Sequence, residues 1–402
     1  MDKQPRRTSQ PRLLHPLMGS NPRTLLRLIV QNGPGNYPLH LFIILSAAFL
    51  RWPFSTYERW QVSRTDPASI GKLSTDRPLA GSPSTGRLST LQKPPIFIVG
   101  HWRSGTTFLY NVLSRSPQFA YVSPLSTGLP WDFLTLGNLL RPILEKALPE
   151  GRFIDKVPVE PDSPQEDEIA LASMQTLSFY HGLYFPKRFV QHFNAGIFFE
   201  GCHPSEIARW EQAIAHFYKK LQLKSPQQQL LIKNPVYTAR IRQLRKLWPT
   251  AKFIHIYRNP YIVFQSTLNF YRKLFPEIAL QPFDQVPIRE IVLKSYPKMM
   301  TALLQDSQQL PPQDFVTLQF ETFEANPIEQ LQRIYRQLEL EGWKSAEPAF
   351  QQYLNAQKTY QKNRYSFSEE SIYQVTTHWR PFIERWGYKP PAEATNEASG
   401  KR

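Results

Sequence analysis

The chain has 402 residues, enough to bury one large core or two ordinary ones, and a formal net charge of +16. This charge predicts anionic partners such as phosphate-bearing ligands, acidic acceptors or lipid headgroups. Nucleic acid is disfavoured, because no basic run dominates the folded part and no zinc-finger or helix-turn-helix signature is present. Cys202 is the single cysteine, which excludes an intrachain disulfide and a cysteine-rich metal cluster and fits a reducing, cytoplasmic environment.

The N-terminal 93 residues are predicted to comprise a basic arm, an apolar helix and a linker. Residues 1–37 are basic, polar and rich in proline, as flexible or loosely packed arms are. Residues 39–50 (LHLFIILSAAFL) form the most apolar run of the chain, but a membrane span needs roughly 20 apolar residues. Residues 62–93 are rich in serine, threonine, proline and glycine, which indicates a linker or a surface excursion.

Two interpretations of the apolar run stay open. One is a helix in the core or against a partner. The other is an interfacial helix that gives peripheral membrane contact through residues 39–60, since basic residues precede the run and Arg51 and Trp52 begin a basic and aromatic flank. We therefore expect a cytoplasmic protein, with membrane association as an open alternative.

From residue 94 onwards, short apolar runs alternate with stretches of helical spacing. The predicted strands are residues 96–99, 119–122, 230–232, 252–257 and 315–318. Strands that are repeatedly followed by helices predict an α/β fold of three layers, a central parallel sheet with helices on both faces. Ligands bind such sheets at the carboxyl ends of the strands. Arg103, Lys233 and Arg258 each follow a predicted strand, so we expect them to converge at one edge of the sheet.

The most informative stretch is residues 94–108 (PPIFIVGHWRSGTTF). An apolar strand ends at Gly100, a basic loop follows, and Thr106 opens an amphipathic stretch. Unpaired backbone N–H groups and the helix dipole make such a helix start an anion site. The P-loop of an ATP-dependent kinase has lysine where Thr106 stands, and no strand clearly ends in an aspartate for Mg²⁺. Backbone donors, hydroxyl groups and Arg103 instead suit a 5′-phosphate and an adjacent oxyanion without a metal.

Three stretches resemble the sulfotransferases that use 3′-phosphoadenosine 5′-phosphosulfate (PAPS). They are FIVGHWRSGTTFL (97–109), LLIKNPVYTARIRQL (230–244) and FIHIYRNPYIVFQS (253–266). The resemblance covers roughly residues 94–390 and is closer to the branch with arginine in the 5′-phosphosulfate loop, which includes many bacterial members, than to the branch with lysine there. It implies a P-loop-like sulfotransferase domain over residues 94–390 and in-line transfer of a sulfuryl group to an acceptor hydroxyl or amine, without a metal.

The resemblance also implies how the donor is held. Arg103 would bridge the sulfonate and the leaving phosphate. The cradle around the 5′-phosphosulfate would be formed by the residues that follow it: Ser104, Gly105, Thr106, Thr107 and Phe108. Arg258 and Ser266 would clasp the 3′-phosphate. Spacing supports this pair, because a serine two turns into a helix that begins near Pro260 can face back toward the strand end.

The C-terminal part contributes one further candidate segment. Residues 358–375 resemble a late segment that closes over the nucleotide in the family, so Lys362 and Arg364 would touch the 3′-phosphate or the adenine. A solvated basic loop before a helix capped by Ser368 is the alternative. Residues 391–402 are expected to form a disordered tail.

An acidic cluster (PQEDE) supplies the best candidates for the base that takes the acceptor's proton. Ser163 is a plausible N-cap and Pro164 a plausible first helical residue, which would place Glu166 and Glu168 in the first turn of a helix. We predict both glutamates as catalytic, and the alternative is a charged, solvent-exposed helix start.

Three other residues could take part in the reaction. Lys233, at the end of its strand, is predicted to be catalytic. In that position it can either reach the sulfonate or form an ion pair. His181 lies in an aromatic run and is expected to be a buried, hydrogen-bonded histidine rather than a base. His101, inside the loop, either helps to bind phosphate or packs.

The sequence therefore favours a PAPS-dependent sulfotransferase. Its acceptor is expected to be a small molecule, a glycan or a lipid, and the many aromatic residues between 119 and 185 favour a partly apolar one. Two alternatives remain: a P-loop-type ATP-dependent kinase or nucleotide-binding enzyme, and a membrane-surface binding protein whose nucleotide site is vestigial.

Overall fold

The computed structural model describes residues 15–65, 91–147, 162–357 and 366–391. The strands are β1 (Ile96–Val99), β2 (Phe119–Ala120), β3 (Gln229–Lys233), β4 (Lys252–Tyr257) and β5 (Phe315–Gln319). They form one five-stranded sheet in the order β2-β3-β1-β4-β5, in which every neighbouring pair is parallel. Each strand lies where the sequence predicts one.

Helices connect and cover these strands. The α-helices are α1 (Pro22–Asn32), α2 (Pro38–Arg64), α3 (Thr106–Leu113), α4 (Pro124–Gly128), α5 (Leu136–Ala147), α6 (Asp167–Met174), α7 (Tyr180–Tyr184), α8 (Phe189–Phe198), α9 (Pro204–Lys224), α10 (Ile241–Leu247), α11 (Pro260–Ile278), α12 (Ile288–Ser307), α13 (Phe320–Ala325), α14 (Pro327–Gln337), α15 (Trp343–Ala356) and α16 (Glu369–Arg385). Short 3-10 helices occupy Pro16–Gly19, Pro186–Arg188, Pro235–Ala239 and Pro312–Asp314.

Successive side chains of the central strands point to opposite faces of the sheet, and each face has its own hydrophobic core. On one face, Ile98 and Ile254 pack in a core with side chains of α3, α14 and α15. On the other face, Phe97 and Phe253 pack in a core with side chains of α9, α11, α12 and α16. The predicted three-layer α/β architecture is therefore confirmed.

Residues 15–37 are part of this folded unit. Leu25 and Leu28 of α1 are buried in the larger core, while Arg23 and Arg27 are exposed. The prediction of a flexible or loosely packed arm is therefore wrong for these residues. Its basis was composition, and composition does not reveal that the charged and apolar side chains lie on opposite faces of one helix.

Several predictions concern residues outside the described ranges. These are residues 1–14 of the arm, residues 66–90 of the linker, the segment with Lys362 and Arg364, and residues 392–402 of the tail. The predicted boundaries at 93/94 and 390/391 stay predictions.

The apolar run at 39–50 belongs to α2, which has 27 residues. Ile44 and Ala48 are buried, as the core interpretation predicts, whereas Phe42 and Leu50 are exposed, as the interfacial interpretation predicts. Because the helix continues to Arg64, it is longer than the apolar run. Within the described ranges, α2 is the one helix that is long and apolar enough, by length and composition, to cross a membrane.

Candidate active site

Three residues in the loop between β1 and α3 have positive φ values, which residues other than glycine rarely adopt. Gly100 and Gly105 have φ values of 148° and 100°, and Arg103 has a φ of 70°. Gly105 is the N-cap of α3, and no side chain caps this helix end. The first N–H groups of α3, at Thr106 and Thr107, are therefore placed at a helix N-terminus that is suited to an anion.

Hydrogen bonds within the protein hold this loop in shape. The N–H and the Oγ of Ser104 both donate to the carbonyl oxygen of His101, at 3.2 and 2.7 Å. Gly100 donates its N–H to Oγ1 of Thr238 at 2.9 Å. The His101 ring is buried against Tyr296, and burial lowers its pKa to about 4. His101 is thus a packing residue in this structure, which is one of its two expected roles.

Arg103 contacts Ser266, although the two were predicted to bind opposite ends of one nucleotide. Nε of Arg103 donates a hydrogen bond to Oγ of Ser266 at 2.8 Å. Arg103 follows β1, and Ser266 lies in α11, which follows β4, the neighbour of β1 in the sheet. As predicted, α11 begins at Pro260, and its N-cap Asn259 accepts a hydrogen bond from the Tyr261 N–H.

Phe320 connects the loop to Arg258. The guanidinium carbon of Arg258 lies 4.4 Å from the centroid of the Phe320 ring, a cation–π geometry. The same ring packs against the backbone of Gly105 and against Phe108. Phe108 therefore contributes to the core beside the loop. Phe320 was not among the predicted site residues, and the available signal was its position two residues after the predicted strand 315–318.

Gly105 leaves no room for a side chain. A Cβ atom built on Gly105 would lie 2.1 Å from Cδ2 of Phe320, and the positive φ adds strain for any other residue. We expect Gly105→Ala to destabilise the protein by about 1–3 kcal/mol and to weaken anion binding at the loop. Gly128→Ala is the control, because a Cβ there meets nothing within 4 Å. Thermal unfolding and nucleotide titration check this prediction, and wild-type behaviour of Gly105→Ala in both would contradict it.

Lys233 and Glu166 form an ion pair at the carboxyl end of β3. Nζ of Lys233 lies 2.5 Å from Oε1 of Glu166, and their side chains are 2% and 14% exposed. The β1–β3 register pairs Lys233 with Ile98, so the ion pair lies beside the start of the loop between β1 and α3. As predicted, Lys233 joins Arg103 and Arg258 at one edge of the sheet.

The predicted start of the acidic helix is wrong. We expected Ser163 as the N-cap and Pro164 as the first helical residue, but α6 begins at Asp167 and Glu166 is its N-cap. The N–H of Gln165 donates to the carbonyl of Val122 at 2.8 Å, which holds this segment outside the helix. As a consequence, Glu166 lies where this segment meets α6, and its side chain reaches Lys233.

Glu168 is in a different environment from Glu166. It is fully buried and accepts hydrogen bonds from Oγ of Ser178 at 2.6 Å and from Nδ2 of Asn234 at 3.0 Å. Burial raises the pKa of this carboxyl above its ordinary value. A carboxylate without exposed surface has no direct access to an acceptor in this structure.

A buried network joins Asp167 to the same strand end. Asp167 accepts hydrogen bonds from Nδ2 of Asn234 at 2.9 Å and from the hydroxyls of Tyr218, at 2.7 Å, and Tyr237. Burial raises its pKa to about 7. Asn234 thus anchors the first turn of α6 next to Lys233. The sequence carries no local signal for this network, because Asp167, Tyr218 and Asn234 are far apart in the chain.

The remaining histidine candidate is buried as expected. Nε2 and Nδ1 of His181 lie 2.8 and 3.2 Å from the carbonyl oxygens of Ala172 and Thr176. Burial lowers its pKa to about 4. The neutral ring has one N–H and donates it to one of these two carbonyl oxygens, which agrees with a structural role.

Comparison with known proteins connects this site to a reaction class. The model of the sulfotransferase family matches residues 94–345. The omega-hydroxy-beta-dihydromenaquinone-9 sulfotransferases Stf3 of Mycobacterium bovis and Mycobacterium tuberculosis are 30% identical to the chain over 300 residues, which is 75% of this chain and 76% of each relative.

Solved structures agree at the level of the fold. Sulfotransferase STF9 from Mycobacterium avium aligns with a TM-score of 0.61 at 15% identity and covers 92% of this chain and 97% of its own. Sulfotransferase STF1 from Mycobacterium tuberculosis aligns with a TM-score of 0.56 at 12% identity, with 89% and 90% covered. The fold and reaction class predicted from the sequence are confirmed. The chain belongs to the sulfotransferase family.

Proposed function

We propose that this sulfotransferase transfers the sulfuryl group of PAPS to the hydroxyl group of a partly apolar acceptor. The observation that carries the proposal is the convergence of Arg103, Ser266 and the Lys233–Glu166 pair at the carboxyl ends of three adjacent strands. Ligands bind parallel sheets at that edge. Family membership supports PAPS as the donor.

The residues of the loop fit the charges of this donor. The N–H groups at the start of α3 and the guanidinium of Arg103 bind the 5′-phosphate and the sulfonate. Arg258 and Ser266 bind the 3′-phosphate. Arg103 and Ser266 are in direct contact, which agrees with a donor whose 5′- and 3′-phosphates are attached to the same ribose. We propose no metal in this step.

Glu166 and Lys233 carry the acceptor side of the reaction. The acceptor oxygen attacks sulfur in line with the bond to the leaving phosphate, and Glu166 takes the hydroxyl proton. Lys233 orients the Glu166 carboxylate and, together with Arg103, stabilises the negative charge that develops on the leaving phosphate. Of the two predicted glutamates, Glu166 is the base. Glu168, which is fully buried, is a positioning residue.

The acceptor is proposed to be a lipid-like alcohol. The related Stf3 sulfotransferases are named for an omega-hydroxylated dihydromenaquinone, a hydroxyl-bearing apolar molecule. Transfer of radiolabelled sulfate from PAPS to candidate lipids, glycans and small molecules identifies the acceptor.

Calorimetric titration without Mg²⁺ tests the donor assignment. We expect 3′,5′-adenosine bisphosphate to bind about ten- to a hundredfold more tightly than 5′-AMP, because the 3′-phosphate adds charge-assisted hydrogen bonds. Arg258→Ala should abolish this difference while 5′-AMP affinity stays unchanged. Arg115→Ala, a surface arginine stacked on Tyr353, is the control. A preference for Mg·ATP would contradict the proposal and favour the kinase alternative.

A further inference from the structure

α2 exposes more large apolar side chains than an ordinary surface helix does, and its buried side mixes polar with apolar residues such as Ile44, Ala48 and Val62. Its buried side includes His40, Ser55 and Glu58. Its outward side carries large apolar and aromatic residues with exposed fractions between 46% and 76%: Leu39, Phe42, Phe49, Leu50, Trp52, Phe54, Tyr57 and Trp60. Soluble monomers rarely expose so many large apolar side chains together, and such a surface marks an interaction site.

Two ion pairs hold the polar side of α2 against the protein. Nε of Arg51 donates to Oδ2 of Asp132 at 2.8 Å. Lys220 pairs with Glu58 at 2.6 Å, and both side chains are fully buried. If α2 left the protein to cross a bilayer, it would leave the charges of Lys220 and Asp132 without their partners, which is strongly unfavourable. The apolar side is therefore fixed outward, and a helix that lies on a membrane fits better than one that spans it.

The charges around this surface indicate what covers it. Every exposed charged residue of α1 and α2 is an arginine: Arg23, Arg27, Arg59 and Arg64. α1 adds the exposed apolar side chains of Leu26 and Val30. Apolar and aromatic residues bordered by arginines match the boundary between acyl chains and anionic headgroups. We call the exposed apolar side chains of α1 and α2, with these arginines, the α1–α2 surface.

The α1–α2 surface is connected to the proposed base through α6. Oγ1 of Thr24, in α1, donates to the carbonyl of Met174 at 3.3 Å, and Met174 is the last residue of α6. Oγ of Ser173 donates to the carbonyl of Pro16 at 3.1 Å. The other end of α6 is capped by Glu166, and a helix of 8 residues is only about 12 Å long. α6 thus connects the helix that carries part of this surface to the proposed base.

We infer that the α1–α2 surface lies on an anionic bilayer, with α2 parallel to the membrane plane, and that the enzyme takes a lipid acceptor from that bilayer. The inference about the lipid acceptor rests on the proposed sulfuryl transfer, whereas the inference about membrane binding does not. A second copy of the chain on this surface and a membrane-spanning α2 are the competing arrangements.

Vesicle sedimentation of the full chain tests the inference. We expect the wild type to sediment with vesicles of phosphatidylcholine and phosphatidylglycerol, more weakly with phosphatidylcholine alone, and to be released by alkaline carbonate. Phe42→Ser should lower the partition coefficient about tenfold, and Phe42→Ser with Leu50→Ser and Trp52→Ser about a hundredfold or more. Tyr373→Ser is the control, because Tyr373 is a similarly exposed aromatic residue on α16.

Three results would overturn the surface assignment. They are a wild type that stays in the supernatant, a triple variant that sediments like the wild type, and resistance to carbonate extraction. If the wild type forms a dimer in solution and the triple variant is a monomer, the surface binds a second copy of the chain instead. Unchanged titration with 3′,5′-adenosine bisphosphate shows that the triple variant is folded.

A separate experiment tests whether the acceptor is taken from the bilayer. Transfer to a vesicle-borne alcohol should fall in the triple variant, whereas transfer to a short-chain soluble alcohol should not. An equal loss of transfer activity with both alcohols would show that the acceptor is not taken from the bilayer. A chain that binds vesicles but not the bisphosphate would refute the proposed donor and leave the surface assignment intact.

Discussion

Replacing Arg103 by alanine is expected to lower the rate of sulfuryl transfer by about a hundred- to a thousandfold, the usual cost of removing a preorganised donor that faces developing charge. Arg103 follows β1, lies beside the N-terminus of α3 and contacts Ser266, so no other described guanidinium has the same placement. Steady-state transfer of radiolabelled sulfate measures the rate. Titration with 3′,5′-adenosine bisphosphate should show at least about tenfold weaker binding.

Two further variants sharpen this prediction. Arg103→Lys keeps the charge but cannot form the planar, two-pronged contacts of a guanidinium, so we expect it to recover only part of the activity. Arg115→Ala should behave like the wild type in both assays. Unchanged bisphosphate affinity of Arg103→Ala would show that the loop does not bind the donor as proposed.

Glu166→Gln is expected to lower kcat by about a hundred- to ten-thousandfold while donor affinity stays within the wild-type range. The glutamine has nearly the same shape but cannot take the acceptor's proton. Steady-state kinetics and bisphosphate titration separate the two effects. Because the Glu166 side chain is 14% exposed, formate should restore part of the activity of Glu166→Ala.

Glu168 provides the matched comparison for the base assignment. Glu168→Gln disturbs the buried hydrogen bonds with Ser178 and Asn234, so we expect a lower unfolding temperature. Formate should not rescue Glu168→Ala, because its site has no exposed surface. If Glu166→Gln keeps kcat within about threefold of the wild type, well short of the usual effect of removing a general base, Glu166 is not the base.

The order and type of the core elements could be predicted because they rest on local patterns. Each strand is a short apolar run, and the start of α11 is specified by Asn259 and Pro260, which are adjacent in the chain. The start of α6 was misplaced although Ser163 and Pro164 are good starting residues. A long-range bond between Gln165 and Val122 overrides that local preference.

The candidate site could also be predicted only in part. Arg103, Lys233 and Arg258 follow strands, and the carboxyl ends of parallel strands share one edge, so their convergence follows from topology. The choice between Glu166 and Glu168 could not be made, because both lie in the same acidic run. Our proposal rests on their difference in burial: Glu168 is fully buried and bonded to Ser178 and Asn234, whereas the Glu166 side chain is 14% exposed.

Phe320 and Glu58 illustrate the limits of composition and spacing. Phe320 is an ordinary apolar residue in the sequence, yet it packs between Gly105 and Arg258. Glu58 interrupts an aromatic stretch and would be expected on the surface, yet it is buried against Lys220. Together with the Arg51–Asp132 pair, this ion pair holds the inward side of α2 against the protein.

The sequence alone specifies the glycine-bounded loop at Gly100, the strand-and-helix order and the family, because strand propensity, helix starts and motifs act between near neighbours in the chain. The tertiary structure decides the outward side of α2, the environments of the two glutamates and the contact between Arg103 and Ser266. These features depend on desolvation and on hydrogen bonds between residues that are distant in sequence, and only the folded chain brings such residues together.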